Sequence, residues 1–142
     1  MDMVGLYSAH LWHPLGSPDV LHCFFSTICM NLEQAAWGIR FPVLMNQLYS
    51  EQVEADQLEE LALELHQVRA GLASLPPDSM VWDSEFPAKP VPDEHLPAPS
   101  AESLIDCFVN TRGERIIDVI DRAVSTALAE RQSLRITALD EL

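Results

Sequence analysis

Leu58, Leu61, Leu65, Val68, Leu72 and Leu75 step along the chain by three, four, three, four and three. That spacing constrains the fold more than any other feature. It places all these side chains on one stripe of a helix of about three heptads, and the stripe demands an apolar partner along its length. Glu60, Glu64 and Gln67 are read onto the face turned away from it. Pro76-Pro77 stops the helix. A helix this short and acidic is expected to pack within its own chain rather than pair with a second copy as a coiled coil.

The flanking segments supply what it packs on. "MVGLYSAHLW" alternates loosely through Val4, Leu6, Tyr7, Leu11 and Trp12, and reads as a first strand ended by His13-Pro14 and Gly16. Ser17, Pro18 and Asp19 suit the start of a helix as cap, first-turn proline and dipole partner. In that helix Leu21, Phe24, Phe25, Ile28 and Leu32 form the apolar stripe. Gly38 suits its stop, and "PVLMNQLY" a short helix that buries Leu44, Met45, Leu48 and Tyr49. After the double proline, "MVW" reads as a short strand. "FPAKPVPDEHLPAPS" is an extended connector, and "SAESLIDCF" a short helix capped by Ser100. Thr111 and Glu114 have capping-box spacing before a last helix striped by Ile116, Ile120, Ala123, Val124, Ala127 and Leu128. "SLRITAL" reads as a terminal strand. The sum is an α/β or α+β fold. Its small sheet has the N- and C-terminal strands adjacent, packed against four to five helices. At 142 residues this reads as one domain, 1–142, with 86–99 as a proline-rich connector inside it.

The charge narrows the partners. The formal net charge is −14, and it is concentrated. Residues 51–106 carry 13 acidic side chains against Arg69 and Lys89, a net of −11, whereas the rest of the chain nets −3. Such a field repels phosphate backbones, which argues against direct nucleic-acid binding, and speeds encounter with a basic protein. No apolar run reaches the roughly 20 residues that cross a bilayer. "MDMVGL" has no basic leader before an apolar stretch, so a cytoplasmic protein is expected. Cys23, Cys29 and Cys107 form no Cys-x-x-Cys and read as buried, reduced thiols.

Catalytic signatures are sparse. His10 and His13 fall on opposite faces of a strand, and His22 has no acid or amide at helical spacing to orient it. His66 lies on the acidic helix and His95 in the connector. There is no Gly-x-Ser-x-Gly around any serine; Ser26 sits mid-helix, and the neighbours His22 and Cys23 diverge. The single Gly of "TRGER" makes no phosphate loop. The chain reads as a binding protein rather than an enzyme, with no cofactor and no metal. A small hydrolase using His10, His22 or His66 is the weakest alternative.

One resemblance is specific. "FFSTICMNLEQAAWGIRFPVLMNQLY", the acidic helix, "LPPDSMVWD" and "FVNTRGERIIDVI" together resemble the immunity protein 70 family, from about His22 to about Leu128. The tightest parts are Trp37–Pro42, Met45–Tyr49 and Val81–Asp83. Family members continue after the Trp-Asp with a Pro-Trp pair. The connector here has no Trp, which is consistent with its varying to match different toxins. The resemblance implies a small cytoplasmic protein encoded beside a polymorphic or contact-dependent toxin. It would bind the C-terminal toxin domain, often a nuclease with a basic channel, and occlude it sterically and electrostatically. An acidic adaptor or chaperone for another basic protein is the alternative.

The expected contact residues lie in "SLPPDSMVWDSE" and beyond it: Asp78, Trp82, Asp83, Glu85, Asp93 and Glu94, with Glu60 and Glu64 as a second patch. If "MVW" is a strand, Val81 points to one face and Met80 and Trp82 to the other. The acidic flanks then reach the binding surface while Trp82 is either buried or presented.

Overall fold

A computed structural model describes residues 3–50 and 52–141. Its sheet contains β1 (Val4–Ser8), β2 (Leu11–Gly16), β3 (Gln52–Val53) and β4 (Leu134–Ala138) in the order β2-β1-β4-β3, every pair antiparallel. The N- and C-terminal strands are neighbours, with Val4 opposite Ala138 and Leu6 opposite Ile136. Helices α1 (Pro18–Leu32), α2 (Leu58–Ala73) and α3 (Ile116–Glu130), with a π-helical segment at Val43–Leu48, complete an α+β fold.

The stripe of α2 is the middle of the core. Leu58, Leu61, Leu65, Val68 and Leu72 are all fully buried, and Leu75, just past the helix, is half-buried. Arg69 ties the helix to α3 through Asp118, at 2.7 Å, and Asp121. Helix α1 starts as its residues dictate. Ser17 Oγ accepts from the Val20 N–H at 3.3 Å, and Pro18 sits in the first turn. Phe24 of α1 packs edge-on to Phe25 and to Phe108.

The structure differs from the sequence reading in several places. The first strand is a hairpin. Ala9 and His10 both take positive φ (51° and 66°), as a two-residue type I′ turn requires, and the chain returns as β2. His10 is therefore a turn residue and not a strand neighbour of His13. Gly5 makes the hairpin possible, because a Cβ there would lie 2.4 Å from the His13 carbonyl oxygen and 2.6 Å from the Trp12 ring. "PVLMNQLY" is helical but wound wide, with the Tyr49 N–H reaching Leu44 O. "MVW" forms no strand: Pro77–Ser79 is a 3₁₀ turn, and the chain after it runs as an irregular strap. The helix expected after Ser100 shrinks to a 3₁₀ turn at Leu104–Asp106. The start of α3 is organised by Asn110 rather than Thr111. Asn110 Oδ1 accepts from the Arg112 and Glu114 N–H groups, and its Nδ2 donates to Pro14 O and Glu114 Oε1.

Candidate functional site

The strap after Pro77 lies along α1, and polar side chains of that helix hold its backbone in place of a sheet ladder. Thr27 Oγ1 donates to Val81 O at 3.2 Å and accepts from Val81 N–H at 3.0 Å. Asn31 Nδ2 donates to Ser79 O at 2.9 Å, and Ser26 Oγ accepts from the Ser84 N–H at 3.0 Å. The Cys23 thiol, pushed up to about 12 by burial, stays protonated and donates to Val81 O. The three cysteines are free thiols, two of them buried. Ser26 and Thr27, polar residues in an otherwise apolar stripe, are thus anchors for the strap.

At the end of this seam His22 is gripped from both sides. Its Nδ1 lies 2.7 Å from the Tyr49 hydroxyl and its Nε2 3.2 Å from Asp83 Oδ1. Asp83 Oδ1 also accepts from the Glu85 N–H at 2.9 Å. That N–H and then His22 hold the Asp83 carboxyl below the usual range. The order hydroxyl, imidazole, carboxylate is that of a nucleophile relay. Burial, with Asp83 and Glu85 adding repulsion, raises the Tyr49 phenol, so the hydroxyl stays neutral as the hydrogen-bond partner of His22. The trio joins α1, the π-helical segment and the strap, and acts as a latch. Its partners lie 27 and 61 residues away from His22, so no local spacing announced it.

The expected contact residues divide. Asp78, Glu85, Asp93 and Glu94 are exposed along residues 77–96. Trp82 is half-buried, stacked on His95 with centroids 5.1 Å apart, and it lines an apolar pocket together with Glu94. Asp83 is half-buried and engaged in the latch. Glu60 is exposed in the first turn of α2, about 20 Å along the helix axis from the end where the strap begins. Glu64 is a correction. It does not face outward; it is 4% exposed, and its carboxylate accepts from the Val43 and Leu44 N–H groups at 3.2 and 2.8 Å.

Glu33, unnoticed in the sequence, has the same task. Buried at the end of α1, it accepts from the N–H groups of Gly38 (3.1 Å), Arg40 and Phe41 (both 3.0 Å). Gly38 takes φ +78°, and a Cβ there would meet the Asn46 amide at 2.3 Å. Trp37 Nε1 donates to Met45 O at 2.9 Å, and the Trp37 ring packs against Phe25 and Tyr49. "WGIRFP" and "MNQLY" are therefore one structural unit, a loop and helical segment whose N–H groups are collected by two buried carboxylates.

Of the remaining histidines, His10 lies 3.4 Å from the Tyr7 hydroxyl, and His66 is exposed. Burial, then Arg122, lowers the His13 imidazole. Among the described residues no group of His, Cys, Asp and Glu is arranged to hold a metal, and no helix is long and apolar enough to cross a membrane.

The family model for immunity protein 70 matches residues 6–136. The chain belongs to that family. No curated protein and no solved structure matches it. Membership in the immunity protein 70 family implies an immunity protein whose partner is a cognate toxin. The match begins in β1 and ends in β4, so it takes in the sheet, α1 with its strap, and the Glu33–Glu64 unit.

Proposed function

We propose that this chain, acting as one immunity-type domain, binds and neutralises a basic nuclease toxin by laying its acidic strap over the nuclease's substrate channel. The observation that carries this reading is the strap itself. Its backbone is secured by Ser26, Thr27 and Asn31 and its Asp83 carboxylate by His22, while Asp78, Glu85, Asp93 and Glu94 remain in solvent. Negative charge is thus held in position rather than spread over a mobile tail. Occlusion follows from shape, and competition with phosphate from charge. An interface of standard size, about 1,600 Å² in total, suits the task.

The test is co-expression. The toxin domain encoded beside this chain is produced in a bacterium with and without it, and growth and co-purification are scored. Rescue of growth with a stable complex is the expected result. Toxicity that this chain does not relieve overturns the reading. Rescue from a toxin that leaves DNA and RNA intact removes the nuclease part alone.

A further inference from the structure

Beside the acidic strap lies a pocket of about 290 Å³, walled by Val20, Met80, Trp82, Leu96, Phe108 and Val109. Four parts of the chain build it: α1, the strap, the connector and the segment before α3. It lies at the lower edge of the roughly 300–1,000 Å³ range of small-molecule sites, which suits a single inserted side chain better than a cofactor. Two of its walls are exposed apolar residues, Leu96 at 54% and Val109 at 45% exposure. Its shape is held in advance. The Trp82 ring stacks on His95, and the neighbouring Val81 is pinned by Thr27. A preformed socket of this kind loses little freedom on being filled, and such sockets are where binding energy concentrates.

The rim says what flanks the inserted side chain. Asp106 and Glu94 both border the pocket. Asp106 is already paired with Arg115 at 2.6 Å. Glu94 has an 80% exposed side chain, with the His95 Nε2 3.9 Å from its carboxylate. Asp93, also exposed, precedes it. An apolar socket with open carboxylates on one side complements a segment that presents an apolar side chain next to a lysine or arginine.

Resting on the immunity reading, we propose that this pocket is the anchor socket of the interface: it takes one apolar side chain of the toxin, and a flanking basic residue pairs with Glu94.

Ala98 stands exposed at the mouth of the pocket and Val109 in its wall, so each can be changed without opening the core. Binding of the toxin domain is measured by calorimetry for wild type, Ala98→Trp, Val109→Glu and Ala70→Trp, with unfolding temperature as the check on folding. Ala70 is exposed on α2 and supplies a bulky control outside the pocket. The expected result is a loss of about tenfold or more in affinity for the first two variants, with Ala70→Trp within about threefold of wild type. Undiminished binding by Ala98→Trp and Val109→Glu overturns the socket and leaves toxin neutralisation standing. Equal losses in all three variants also overturn it. Failure of wild type to bind overturns the immunity reading, and the socket with it.

Discussion

Glu33 and Glu64 between them hold five backbone N–H groups, those of Gly38, Arg40, Phe41, Val43 and Leu44. A glutamine in either place offers one acceptor oxygen and turns a donor toward donors. Glu33→Gln and Glu64→Gln are each expected to cost about 1–3 kcal/mol, read as a lower midpoint in urea unfolding. Glu64 has a pH signature of its own. Burial, only partly offset by the two N–H donors, raises its pKa above the ordinary 4.5, and Glu60 and Glu33 add repulsion. The folded state then holds this proton more tightly than the unfolded chain does. The contribution of Glu64 to stability is therefore full below 4.5 and is lost as pH rises through the folded value. The margin of wild type over Glu64→Gln is expected to widen as pH is lowered from 7 toward 4.5, and a margin independent of pH would contradict the assignment. The position was legible: Glu64 stands three residues after Leu61 and four before Val68, on the stripe rather than opposite it. Reading charge as exposure hid this. Glu33 carried no such signal, because its partners sit in the loop that follows.

At the scale of elements, the helices were legible because their periods are local and strong. The stripe of α2 and the Ser17-Pro18 start of α1 appear as the residues imply. The hairpin was missed because its turn uses Ala9-His10 where Asn-Gly is the usual signal. The strap was misread because three apolar residues in a row look like a strand, while the groups that bind its backbone belong to a helix more than 40 residues earlier. Thr27→Val keeps the shape of that anchor and removes both of its hydrogen bonds to Val81. It is expected to destabilise the protein by about 1–2 kcal/mol and to speed proteolysis between residues 79 and 96 before global unfolding. Cleavage there at the wild-type rate would show that the strap is held elsewhere. The Asp83 end of the seam has its own acid limit. With its pKa depressed, Asp83 contributes fully above the ordinary 3.8, and the contribution is lost as pH falls through the folded value. Asp83→Asn is therefore expected to make the strap protease-sensitive at pH 7, and wild type is expected to become so only in acid.

For the molecule as a whole, the charge asymmetry was legible from composition, but its placement needed the fold. Proline-rich sequence between α2 and α3 carries no period from which its path can be read. Only the fold places Asp78, Glu85, Asp93 and Glu94 in solvent along one span while Asp83 is retained by the latch. Charge reversal should therefore spare Asp83, whose loss would mix unfolding of the strap with loss of attraction. Changing the other four to lysine moves the net charge by eight, from −14 to −6. If the strap steers a basic toxin domain, the association rate is expected to fall by about tenfold or more at low ionic strength. The gap should close near 1 M salt, where the Debye length is about 3 Å. Rim charges act on encounter and pocket contacts on residence. The same variant should thus change dissociation less than association, whereas Ala98→Trp should do the opposite. Glu60→Lys, at the far end of α2, separates a local strap from a general field. A rate loss per charge equal to that of the four strap positions would mean that the whole acidic surface steers the toxin. A smaller loss would place the approach path along residues 77–96.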